Sequence, residues 1–112
     1  MAKQNEKKHT VQVLVEPGIC GFTGSIKARR YKRWSALLNI NSKCGQIKKM
    51  ALQLDKITMK ELFLPPAQNP VFCAAKQAGC HPSCPFPVAV LKAAEVAMEL
   101  ALPRDVRIVF KS

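Results

Sequence analysis

The chain alternates between two kinds of apolar spacing. Val11, Val13 and Val15 fall at every second position of VQVLV, a β-branched run that reads as a strand with those three valines on one face. Glu16-Pro17-Gly18 ends it, and residues 18–24, Gly-Ile-Cys-Gly-Phe-Thr-Gly, form a glycine-punctuated loop. Residues 25–40 keep the period of two through Ile26, Ala28, Trp34, Ala36, Leu38 and Ile40, which predicts two strands joined near Arg30–Arg33. The spacing then changes. Ile47, Met50, Ala51 and Leu54 recur at i, i+3, i+4 and i+7 behind Asn41-Ser42, a candidate N-cap, and predict an amphipathic helix of about three turns.

The second half is punctuated by capping residues. Thr58 to Glu61 has the Thr-x-x-Glu form of a capping box and opens a short turn before Pro65-Pro66. Asn69-Pro70 places an N-cap before a proline at the first helical position, and Gly79 suits the residue after a helix end, so 70–78 reads as a short helix. Ser83–Pro87 opens the longest helix, expected to run to about Leu102 before Pro103. Its polar positions are only Lys92, Glu95 and Glu99, so most of its surface must be buried. Val106 to Phe110 (VRIVF) reads as a closing strand. The expected architecture is a small α+β domain over 11–112: a mixed sheet of about four strands with helices packed on one face, behind a flexible basic tail over 1–10.

Composition narrows the class. With 48% apolar and 22% charged residues in 112, the chain can bury a core without a stabilising metal or disulfide. No apolar run reaches a membrane span, and no apolar signal core follows the charged N-terminal residues, so the sequence predicts no membrane and a cytoplasmic location with reduced thiols. Five cysteines in that setting suggest metal ligands or thiol chemistry before disulfides. The formal charge of +11 is lopsided: residues 1–60 carry 13 basic and 3 acidic side chains, against 5 and 4 in residues 61–112. Nucleic acid, or an acidic protein such as a redox partner, is a permitted partner; oligomeric state is left open.

Four cysteines fall at loop–helix junctions or beside glycines. Cys20 lies in the glycine loop before Gly21, Cys44 precedes Gly45, Cys80 follows Gly79, and Cys84 precedes Pro85 at the start of the long helix. Such junctions expose backbone N–H groups that lower thiol pKa values and hydrogen-bond cluster sulfurs. Cys80-His81-Pro82-Ser83-Cys84-Pro85 can grip one metal from two positions, and a Cys-Pro step also ends the ferredoxin run, although the C-x₂-C-x₂-C spacing is missing. The expected site is Cys20, Cys44, Cys80 and Cys84 around a [4Fe–4S] cluster, with His81, Gly21 and Gly45 in support; zinc is the alternative. The plainer reading of the same residues is free thiols in an ordinary core. Cys73, between Phe72 and Ala74, reads as core, and a reactive Cys84 or Cys80 in a thiol-redox protein is a further alternative.

Residues 27–34, Lys-Ala-Arg-Arg-Tyr-Lys-Arg-Trp, hold five cations and two aromatics. On a strand, Lys27, Arg29, Tyr31 and Arg33 would share a face able to follow phosphates and stack a base, with Arg30 beside them. A solvated face that blunts edge pairing explains the same residues.

Through Val15–Phe22, Ser42–Cys44 and Gly79–Pro85, the chain resembles a family of small uncharacterised cysteine-containing proteins from anaerobic bacteria and archaea. The resemblance covers most of 11–112 and carries no assigned activity. It implies a cytoplasm of low redox potential, in which an oxygen-sensitive cluster persists.

Overall fold

The computed structural model describes residues 10–112; of the expected tail over 1–10, residues 1–9 lie outside the described residues and Thr10 opens the first strand. Four strands form one sheet in the order β1-β2-β3-β4: β1 Thr10–Val15, β2 Gly24–Tyr31, β3 Ser35–Ser42 and β4 Lys56–Thr58. Every pairing is antiparallel, so the α+β class stands but the sheet is not mixed. Among the described residues four helices accompany it: α1 Gly45–Ala51, α2 Met59–Leu62, α3 Pro70–Ala78 and α4 Phe86–Ala97.

The register explains the core. Val13, Ile26 and Ile40 align across three strands, as do Val11, Ala28 and Leu38. These positions face the helices, where Ile47, Met50, Val71, Phe86, Val90 and Ala93 are buried against them. The opposite face carries Gln12, Lys27 and Asn39 in one row and is exposed. Burying one face of a three-layer valine, isoleucine and leucine grid fixes the strand register, because a one-residue slip would turn the whole set to water.

The expected strand over 106–110 is absent. Residues 101–112 form no regular element and are exposed, with Phe110 at 96%. The fourth strand is instead Lys56-Ile57-Thr58, three residues on which period two leaves no readable trace. Asn41 and Ser42 do not cap a helix, because ladder pairing with Ser25 and Gly24 keeps them in β3. Cys44 holds the N-cap position, and α1 is seven residues long. The long helix begins at Phe86 and stops at Ala97, short of Leu102. Leu100 N–H donates to the Glu95 carbonyl and Glu99 N–H to that of Val96, a Schellman closure with Glu99 left-handed at φ 62°.

The capping residues of the second half behave as read. Thr58 and Glu61 form a reciprocal capping box. Asn69 accepts from Val71 N–H at 3.0 Å, and its amide donates to the carbonyls of Glu61, Leu62 and Leu64. It is 1% exposed, so one side chain caps α3 and satisfies the end of α2. Asn69→Ala should lower stability by about 2–4 kcal/mol, since it removes a cap and strands several buried carbonyls. A denaturant midpoint within error of the parent would contradict that role.

Candidate functional site

Three chain segments meet at Gly24. A Cβ there would collide with the carbonyl of Asn41 and the ring of Phe86 and would touch Ser42 Cβ. Ser42 Oγ reaches the Thr23 carbonyl at 3.4 Å and accepts from Cys44 N–H at 3.1 Å. Each segment carries a thiol a few residues away: Cys20 before Thr23, Cys44 after Ser42, and Cys84 before Phe86. The missing side chain at Gly24 is what lets the start of α4 close down on the β2–β3 ladder.

Cys80 arrives by a different device. Gly79 is left-handed at φ 78°, and Cys80 N–H donates to the Ala75 carbonyl at 3.0 Å, the long bond of a Schellman motif. Cys84 N–H then donates to the His81 carbonyl at 3.0 Å, folding 81–84 into a turn. Cys44, Cys80 and Cys84 are half-buried and pack on the core's rim, while Cys20 is exposed. The Gly18–Gly21 turn that carries Cys20 is closed by Gly21 N–H on the Gly18 carbonyl, with Gly18 and Gly21 both at positive φ.

The thiols feel one another. Burial pushes the Cys80 pKa up, and the charges of Cys84 and Cys44 raise it further. Burial also raises Cys84, with Cys44 and Cys20 adding, while the Phe86 N–H at the start of α4 opposes the rise. The expectation that helix termini depress these thiols therefore fails at both positions, because desolvation outweighs one backbone donor. A thiol held protonated is a poor nucleophile, which weighs against Cys84 or Cys80 as a reactive redox centre. Alkylation near neutral pH should label Cys20 well before Cys80 and Cys84; mass mapping that finds Cys84 first would reverse this assignment.

Among the described residues, no group of three or more His, Cys, Asp and Glu side chains is arranged to hold a metal ion as it stands. Cys44 Sγ donates instead to Gln46 Oε1 at 3.3 Å. Cys73 stands apart, half-buried rather than within the core, with its Sγ on the Ala67 carbonyl at 3.6 Å. The His81 side chain is exposed, and Gly45 faces open space.

The basic run divides. Lys27 and Arg29 point outward from β2, and Tyr31 lies beneath Lys32 and Lys56, whose nitrogens stand 5.4 and 5.9 Å from its ring centre. Arg33 is not on their strand face; it lies in the β2–β3 turn, 5.6 Å from the centre of Trp34. Arg30 faces the helices and pairs with Glu99 at 2.9 Å while also donating to the Arg33 carbonyl. That pair, which sequence distance hid, ties the end of α4 to the hairpin.

Among the described residues no helix is long and apolar enough to cross a membrane. Neither a curated relative nor a solved structure matches the chain. One family model does match, over residues 11–110, from the first strand through all four junction thiols to the end of the tail. The chain belongs to that family, DUF6951, a family of unknown function.

Proposed function

We propose that Cys20, Cys44, Cys80 and Cys84 hold a metal centre, a [4Fe–4S] cluster before zinc, in a small electron-transfer or accessory protein. The observation that carries this reading is the meeting around Gly24 of three segments that each bear a thiol a few residues away, and Cys80 is close enough to Cys84 and Cys44 for their charges to raise it. The mutual charge effects of the four thiols support their closeness. Ligation requires the sulfurs to turn toward one another, that of Cys44 away from Gln46. A bound cluster would supply one-electron chemistry, and the Phe86 N–H would donate to the Cys84 sulfur. Cys-Pro at 84–85 and the absence of paired C-x₂-C knuckles favour iron–sulfur over zinc. A cytoplasm of low redox potential would suit that cofactor.

Anaerobic purification followed by iron, sulfide and zinc analysis tests the proposal. Brown protein with a broad visible band and matched iron and sulfide supports the cluster. Stoichiometric zinc selects the other metal, and metal-free protein after anaerobic reconstitution removes both.

The open sheet face supports a second reading, a surface for single-stranded nucleic acid. Lys27, Arg29 and Tyr31 share that face of β2, the Lys56 nitrogen stands over the Tyr31 ring, and Trp34 is 55% exposed. Binding to a single-stranded RNA should weaken as salt rises, and Lys27→Ala/Arg29→Ala should flatten that dependence. Unchanged salt dependence in the double variant would remove the reading.

A further inference from the structure

Among the described residues, strand β1 is a sheet edge that carries none of the usual protection. Among the described residues it pairs only with β2, and Val11–Val15 contains no charge and no proline, with Leu14 75% exposed. Such an edge is a ready template for another strand. The other edge, β4, is three residues long, begins with a lysine and runs straight into α2. Val11 and Val13 face the core yet remain only partly buried, as though the apolar layer wanted one more strand beyond them.

The chain carries the strand that fits. Val106, Ile108 and Phe110 fall on one side of an extended segment and Arg107, Val109 and Lys111 on the other, the alternation that β1 itself has. These apolar side chains are exposed at 58%, 84% and 96%. The family match runs to residue 110, so the segment lies within the matched region.

Topology favours the edge of another copy over its own. The Arg30–Glu99 pair places the end of α4 at the end of the sheet where β1 begins, since Thr10 lies opposite Arg29. A tail leaving there and running back along its own β1 would pair parallel, the weaker ladder, in an otherwise antiparallel sheet. A copy related by a two-fold axis can bring its tail from the other direction and pair antiparallel. We propose that Val106–Phe110 adds to the β1 edge of a second copy of this chain, reciprocally, giving a strand-exchanged dimer. Val106, Ile108 and Phe110 then lie over the partner's exposed ends of the core layer. Two such exchanges bury on the order of 1,500 Å², enough for a stable interface.

The test is the solution mass of the full chain together with the variant Ile108→Asp/Phe110→Asp. Both side chains are exposed in the single chain, so the substitutions leave the isolated fold unstrained. Sedimentation equilibrium should give twice 12.4 kDa for the parent and 12.4 kDa for the variant, with the same far-ultraviolet circular dichroism. In a mixed-isotope sample, filtered NOEs should connect Phe110 of one copy to Val13 of the other. A monomeric parent, a dimer that survives the double substitution, or NOEs confined within one copy would each overturn the proposal. These outcomes are independent of metal content.

Discussion

With the proposed cluster in place, Cys84→Ser should abolish the visible band of anaerobically prepared protein, while Cys73→Ser should leave it intact. Serine is nearly isosteric with cysteine, so the packing of Cys84 against the core survives, but a hydroxyl is a poor ligand for iron or zinc beside three thiolates. Metal retention should fall by at least about tenfold, the upper scale for losing mere outer-shell partners being about a hundredfold. Cys20→Ser and Cys44→Ser should follow Cys84→Ser. Cys73 bonds the Ala67 carbonyl instead and serves as the matched control. Equal losses at Cys73 and Cys84 would mean general unfolding, and no loss at Cys84 would remove the four-thiolate site.

The raised thiols give this prediction a pH dependence of known sign. Ligation requires thiolates, so uptake must release the protons that burial and mutual repulsion hold on Cys80 and Cys84. Affinity should therefore climb as pH rises. Metal-free protein should show the opposite trend. A thiol whose folded pKa lies above its unfolded one contributes stability fully below the unfolded value and loses it as pH rises through the folded value. The double variant Cys80→Ser/Cys84→Ser should lose less stability than the parent over that alkaline window.

Features that were legible in the sequence are the ones decided within a few residues. Asn69-Pro70, Thr58–Glu61 and Gly79 each satisfy backbone groups of their own helix ends, and each stands where the sequence put it. The β2–β3 hairpin was readable because period two resumes after the basic turn. Decisions made across the sheet were not readable. Ladder pairing with β2 outweighed the capping preference of Asn41-Ser42, and VRIVF has a strand's alternation but pairs with no strand among the described residues. The sign of the thiol shifts failed for the same reason, because helix-end amides are visible in sequence and burial is not. The Arg30–Glu99 pair spans 69 positions and gave no local signal. Junction chemistry in the sequence suggests that the thiols gather, but the close approach of three of the segments that carry them turns on Gly24, which in sequence is just one more loop glycine.

Gly24→Ala should therefore be among the most damaging single-methyl additions in the chain. The glycine opens β2, opposite Val15 and Ser42, and its φ is one that alanine adopts without strain. The harm is steric. The new Cβ would meet the Asn41 carbonyl and the Phe86 ring together. Asn41 cannot retreat without disturbing its ladder pairing with Ser25, and Phe86, 1% exposed, has no free volume to enter. Overpacking of this kind costs about 1–3 kcal/mol, or roughly 10 °C in Tm for a domain of this size. Gly45→Ala is the contrast, because its Cβ meets nothing and its φ is ordinary. It should stabilise by up to about 1 kcal/mol through reduced freedom of the unfolded chain. Metal retention should divide the same way. Displacing Phe86 moves the start of α4 and with it Cys84, so Gly24→Ala should weaken retention even where the fold persists. If Gly45→Ala is the variant that weakens it, the metal centre lies against the start of α1 rather than at the Gly24 junction.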